Sequence, residues 1–392
     1  MKKILWITYD FSTDLGGKGL IMKSIIKDCA DDFQIEILDL EIGKTEPFAI
    51  DLSFAGAHAH NVSVHAVACT STIDAVQKAI KLCRGKQADT IVIGASPSID
   101  LLILAAMHLK HVHRDTPVIR IEYTNPKIFL GKSRFAALYQ FLAKTYFKKV
   151  DMNIVPTDSG YNLFRNEYGV PENRVQKIFW PTVPENVAEL AQQAVGSDIF
   201  NHIKAGGAPT IITVMRLSRD DKDFDTLLRA FAIVLDTAKK KGTANERLPH
   251  LFILGNGDPA VVTGLIVELN IGDFVHLLGY EANTFSYLSK SDVFAFASTF
   301  EGSPRVIVEA LAAGCPPVAT DCNYGPREVI NDGVNGFLVP VKDPVKLAEK
   351  VITLLDDQVL RNSMASRGPS SVKEHGEAEI GQTYKNLFRT LG

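Results

Sequence analysis

Two glutamates with the spacing to do chemistry stand late in the chain, in Glu301-Gly-Ser-Pro-Arg-Val-Ile-Val-Glu309. An apolar run, Asp292-Val-Phe-Ala-Phe-Ala, precedes them and reads as a buried parallel strand. The loop Glu301-Gly302-Ser303-Pro304 then leads into a helix. Pro304 is suited to its first turn, where a missing N–H costs nothing, and Gly314 to its C-terminal cap. Pro316-Pro317 bar further helix, and Val318-Ala319-Thr320 is the next strand. A strand that runs into a helix N-terminus leaves backbone N–H groups at the positive end of a dipole, a ready place for a diphosphate. Carboxylates beside it suit hydroxyl donors, so Glu301 and Glu309 point to a sugar at one end and a ribose at the other. The plain alternative is a capping loop with two solvated acids, because a motif alone is only a hypothesis.

The ordered pattern extends further, through Ala-x-Gly314-Cys-Pro-Pro-Val-Ala-Thr-Asp321, Gly325-Pro-Arg-Glu and Asn331-Asp-Gly-Val-Asn-Gly-Phe-Leu-Val. It resembles the retaining glycosyltransferases of family four. The likeness covers the C-terminal half well and the N-terminal half loosely. It implies the α/β GT-B architecture, two Rossmann-like doubly wound domains facing across a cleft. It also implies transfer of a hexose-type sugar from a nucleoside diphosphate to an acceptor hydroxyl, with retention.

The resemblance assigns roles at matching positions. Arg216 and Lys222 clamp the departing diphosphate, Arg as a bidentate fork and Lys as a point charge, with no metal and no cofactor. Their interval is one residue longer than usual, so either the loop bulges at Asp220-Asp221 or Arg219 shares the role. The helix start at Ser303, Pro304, Arg305 and Val306 meets the same diphosphate, with backbone N–H groups from all but the proline, Glu309 holds the ribose, and Glu301 contacts the sugar. Gly16 and Gly17, after the first strand, and the glycine turn at Gly255 are further donor-site candidates. The strand ending at Gly279-Tyr280 leads to the nucleobase. The donor is expected to be a UDP-sugar, with a GDP-sugar as the other choice. Many members carry a histidine after the strand Pro117–Ile121; this chain has Glu122 and Tyr123 there, the acceptor-side candidates. A phosphorylase of the same fold and a non-catalytic nucleotide-sugar binder are the rival readings.

The elements that position these residues follow from length and composition. The chain has 392 residues, 46% hydrophobic and 22% charged, enough for two ordinary soluble domains. Expected boundaries are 1–184 for an acceptor-binding domain, 185–375 for a donor-binding domain with 185–208 as linker, and 376–392 for a helix returning to the first domain. A net charge of −3 gives no case for nucleic acid. Five scattered cysteines without Cys-x-x-Cys spacing fit structural thiols in a reducing cytoplasm. The start, Met1-Lys-Lys-Ile-Leu-Trp-Ile-Thr, is too short an apolar run for a leader and reads as a first strand.

His108, His111 and His113 lack an acidic or cysteine partner at matching spacing, so no metal site is expected. The segment Lys132–Lys149 mixes Lys132, Arg134, Lys144, Lys148 and Lys149 with Phe135, Leu138, Phe141 and Tyr146. Read as one helix, it is either packed with a basic rim or laid on an anionic membrane. The second reading fits a glycan or lipid-linked acceptor met at the inner face of the cytoplasmic membrane.

Overall fold

The computed structural model describes the chain except for residues 10, 12–16, 45, 47–50, 86, 110–111, 113–114, 219–221, 324 and 392. Gly16 and the stretch Arg219–Asp221 therefore lie outside the described residues, as do His111 and His113. Two compact units are present: Met1–Pro181 with Glu377–Gly392, and Thr182–Gly376.

The first unit holds seven parallel strands: β1 (Lys2–Tyr9), β2 (Phe33–Ile42), β3 (Val62–Cys69), β4 (Thr90–Ile93), β5 (Val118–Ile121), β6 (Met152–Val155) and β7 (Val175–Lys177). Their order is β3-β2-β1-β4-β5-β6-β7. Leu5 and Ile7 enter one apolar layer while Ile4 and Trp6 enter the other, so helices cover both faces of the sheet. The last helix, Glu377–Leu391, closes one face: Phe388 meets Phe33 edge-on at 5.7 Å and Trp6 at 6.4 Å.

The second unit holds β8 (Thr210–Val214), β9 (His250–Leu254), β10 (Val275–Gly279), β11 (Val293–Phe296), β12 (Pro317–Thr320) and β13 (Phe337–Val339), ordered β10-β9-β8-β11-β12-β13. All are parallel. Strand order reverses between β8 and β11, the point where ligands bind beyond the carboxyl ends of doubly wound sheets.

Three expectations are corrected. The stretch read as an open linker is folded: helices Val187–Gln192 and Asp198–Ala205 belong to the second unit, and Phe200 lies wholly in its core. It is tied to the rest of the unit, with Asn283 Nδ2 donating to Leu190 O and to Gln193 Oε1, each at 2.9 Å. The basic-aromatic segment is not one helix either. A short helix Pro126–Gly131 ends before Ser133, whose hydroxyl accepts the Phe135 N–H at 3.1 Å, and a second helix spans Ala136–Tyr146. Finally, Pro304 precedes its helix rather than opening it. Its ψ of 84° lies outside the helical basin, and the helix spans Arg305–Ala312.

Candidate functional site

The site begins with the two strands at the point of reversal. Lys222 follows β8, Glu301 follows β11, and 79 positions separate them in sequence. Beyond the strand ends the chain pairs once more: Lys222 bridges Ser298 antiparallel, and the Asp223 N–H donates to Ala297 O at 3.1 Å. Asp223 also caps the helix Phe224–Lys240, its Oδ1 accepting the Thr226 N–H at 3.1 Å. A cap residue thus fixes its neighbour: Lys222 Nζ lies 2.6 Å from Glu301 Oε1, with the two side chains 14% and 11% exposed. The ammonium also sits 5.3 Å from the centre of the Phe296 ring.

The other wall is equally determined. Thr320 Oγ1, at the end of β12, accepts the Ser298 N–H at 2.9 Å and donates to Ser298 O at 2.8 Å. Phe300 bridges Asn323. Gly325, at φ +117°, lies so close to the Pro304 ring that a Cβ there would stand 2.3 Å from Pro304 Cδ. That close approach turns Pro304 aside and starts the helix at Arg305. No side chain caps this helix N-terminus among the described residues, and Arg305 N–H donates back to Ser303 O at 3.0 Å. Glu309 follows in the second turn, with Oε1 3.7 Å from Arg305 Nη2 and Oε2 accepting the Thr284 hydroxyl at 3.2 Å.

Arg216 is exposed just after β8. Gly255, at φ +143°, donates to Gly279 O at 2.7 Å, and a Cβ on it would meet Met215 O at 2.0 Å. Only glycine lets the turn after β9 lie against the chain that carries Arg216. Tyr280 is exposed after β10. The second unit thus gathers Lys222, Glu301, Ser303, Pro304, Arg305, Val306 and Glu309 around two loops and one helix start. Of the contacts here, those of Thr284 and the Thr320–Ser298 lock were not read from sequence. The one cue for Thr284 is Asn283 before it, a capping residue type.

In the first unit, Gly17 is the exposed first residue of the helix Gly17–Cys29. Tyr123 stacks on Trp180, centroids 5.2 Å apart at 16°. Glu122 does not face solvent. Its Oε2 accepts from Arg120 Nη2 at 2.5 Å, Asp100 Oδ2 lies 3.1 Å from Arg120 Nε, and none of the three side chains exceeds 4% exposure. Arg120 lies 4.1 Å from the centre of the Phe147 ring. Burial pushes the Glu122 carboxyl up to about 7 and the Asp100 carboxyl upward, against the pull of Arg120. Placing Glu122 on the acceptor side is therefore corrected: strand alternation turns it onto the face where Arg120 already points.

Among the described residues no three histidine, cysteine or acidic side chains are grouped to hold a metal. A histidine pair, His250 Nδ1 and His276 Nε2 at 2.9 Å, lies at the opposite, amino ends of β9 and β10, where burial lowers His250 to about 4.

The fold is that of GT-B glycosyltransferases. A sucrose-phosphate synthase from Thermosynechococcus elongatus superimposes with a TM-score of 0.79 at 18% identity, covering 100% of this chain and 99% of that one. HepE of Anabaena in complex with UDP-glucose gives 0.75 at 19% identity, with 100% of both chains covered. Residues 196–371 match the family model for glycosyl transferases group 1. The N-acetylgalactosamine-N,N'-diacetylbacillosaminyl-diphospho-undecaprenol 4-alpha-N-acetylgalactosaminyltransferase of Campylobacter jejuni subsp. jejuni is 28% identical over 305 residues, 76% of each chain.

Proposed function

We propose that this group 1 glycosyltransferase moves a hexose-type sugar, with retention and without a metal, from a UDP-sugar to a hydroxyl of a glycan or lipid-linked acceptor. The observation that carries the reading is the Lys222–Glu301 pair at 2.6 Å, set beside the start of the helix that presents Glu309. Lys222 and Arg216 neutralise the diphosphate as the bond from sugar C1 to its oxygen breaks. The helix start at Ser303–Val306 adds backbone dipoles to the same charge. Glu301 orients the sugar by accepting from its hydroxyls, and Glu309 accepts from the ribose. The acceptor oxygen bonds to C1 on the face the diphosphate leaves, and its proton passes to a diphosphate oxygen. No second carboxylate is needed as a covalent nucleophile.

UDP-glucose in HepE and a diphospho-undecaprenol substrate in the name of the Campylobacter relative support the donor and acceptor classes. We assign donor binding to the second unit and acceptor binding to the first, where Tyr123 remains the acceptor-side candidate.

Membrane contact belongs to the same reading. Phe135, Leu138 and Phe141 are 50, 54 and 66% exposed, among Lys132, Arg134, Lys144 and Lys148. Exposed aromatics with a basic surround suit an anionic bilayer. No described helix is long and apolar enough to cross a membrane, so the contact proposed is peripheral.

The direct test is transfer of labelled sugar from UDP-sugars to undecaprenyl-diphosphate-linked and free glycans in excess EDTA, with the product anomer read by NMR. Transfer that requires added divalent metal, or that gives the inverted anomer, would refute the mechanism.

A further inference from the structure

Glu309 is held from two directions, and only one hold comes from its own helix. Arg305, one turn earlier, lies 3.7 Å from Oε1. Oε2 accepts the hydroxyl of Thr284, a residue 25 positions away on a separate element, at 3.2 Å. That element is itself fixed. Asn283 Oδ1 caps the helix Thr284–Leu288 by accepting the Ser286 N–H at 3.3 Å. Asn283 Nδ2 is tied to Leu190 O and Gln193 Oε1, each at 2.9 Å. Phe285, Tyr287 and Leu288 anchor the helix in the core. The Thr284 hydroxyl therefore reaches Glu309 from an anchored backbone.

Each carboxylate oxygen carries two acceptor sites. The Thr284 hydroxyl takes one site on Oε2, and Arg305 faces Oε1 as an ion pair at 3.7 Å without a hydrogen bond, which leaves an acceptor site on each oxygen for a ligand. Two adjacent acceptors match a vicinal diol and are wasted on a sugar lacking one of its hydroxyls. We propose that Thr284 is a positioning residue that aims the Glu309 carboxylate and thereby sets the preference of the donor site for ribonucleotides over 2′-deoxyribonucleotides. The proposal rests on the reading of Glu309 as the ribose acceptor.

The experiment is calorimetric titration of the full chain with UDP, GDP and their 2′-deoxy forms, using wild type, Thr284→Val, Thr284→Ser and Glu309→Gln. Thr284→Val removes one hydrogen bond to a charged group, so binding of the ribonucleotide is expected to weaken about tenfold. The deoxy form should change by less than about twofold, because it already lacks the diol that the hold serves. Thr284→Ser keeps the hydroxyl and is expected to keep the preference. A merely structural tie would weaken both nucleotides equally. That result, or no change in either, overturns the role of Thr284 while Glu309→Gln still abolishes the preference. Should the wild type fail to distinguish ribo from deoxy forms, or Glu309→Gln leave the preference intact, the ribose reading falls and the role of Thr284 with it. Thermal melting of each variant separates these outcomes from misfolding.

Discussion

Both units pair carboxylates with a cation, one cluster within the sheet at β5 and the other beyond the carboxyl ends of β8 and β11, and the two differ in their access to solvent. Arg120, Asp100 and Glu122 are sealed, none more than 4% exposed. Lys222 and Glu301 sit at 14% and 11%, within reach of a ligand. The sealed cluster also holds two carboxyls against one guanidinium, so burial raises both acids. In the second unit one ammonium meets one carboxylate at the mouth of a loop. Buried ions lose hydration that their mutual attraction only partly replaces, so removing one partner does more harm than the pair does good. At the edge, the same chemistry stays open to the diphosphate and sugar proposed to bind there.

The sharpest way to break this contrast is to remove the cation from each cluster. Arg120→Met strands two carboxyls in the core and is expected to lower stability by about 3–5 kcal/mol, measured by urea unfolding. Lys222→Ala is expected to leave the unfolding midpoint nearly unchanged. It should reduce kcat by about 10²–10³-fold, as loss of one transition-state donor does. Equal stability losses in the two variants would erase the distinction.

A smaller effect sharpens it further. Glu122 has its folded pKa raised to about 7 from an ordinary carboxylate value of 4.5. Between those values the native state holds a proton that the unfolded chain has released. The contribution of Glu122 is therefore fully present below about pH 4.5 and is lost as pH rises through about 7. The difference in stability between wild type and Glu122→Gln should fall across that window, read by urea unfolding at each pH. A flat difference would mean that Glu122 stays ionised in the core.

The smallest expected effect concerns the exposed apolar face. Phe141→Ser should reduce co-sedimentation with phosphatidylglycerol vesicles several-fold while leaving transfer to a water-soluble acceptor intact. Unchanged sedimentation would remove the membrane contact from the account.

The contrast also explains what could be read from sequence. The loop from Glu301 to Glu309 was legible because strand, glycine, proline and helix signals are local and consecutive. The two doubly wound sheets were implied by the resemblance that this ordered pattern carries. Glu122 was misplaced because strand alternation fixes which residues share a face but not which face meets solvent. Arg120 inside the apolar strand Val-Ile-Arg-Ile was the usable warning, since a charge there needs a buried partner. Strand β7, three residues long, is too short for a periodic signal. The helix Gln358–Ser371 was hidden by its own Pro369. Thr284 depends on a contact across 25 positions, which no local pattern encodes.

The central claim, that the loops around Lys222, Glu301 and Glu309 bind a nucleotide-sugar, is tested most directly by thermal melting with UDP-, GDP- and ADP-linked sugars in EDTA. A ligand at 100 times its Kd stabilises the native state by about 2.7 kcal/mol. A rise in Tm with UDP-sugars is expected in wild type, unaffected by chelator and largely lost in Glu309→Ala. An equal rise in wild type and variant, or none with any nucleotide-sugar, would contradict it.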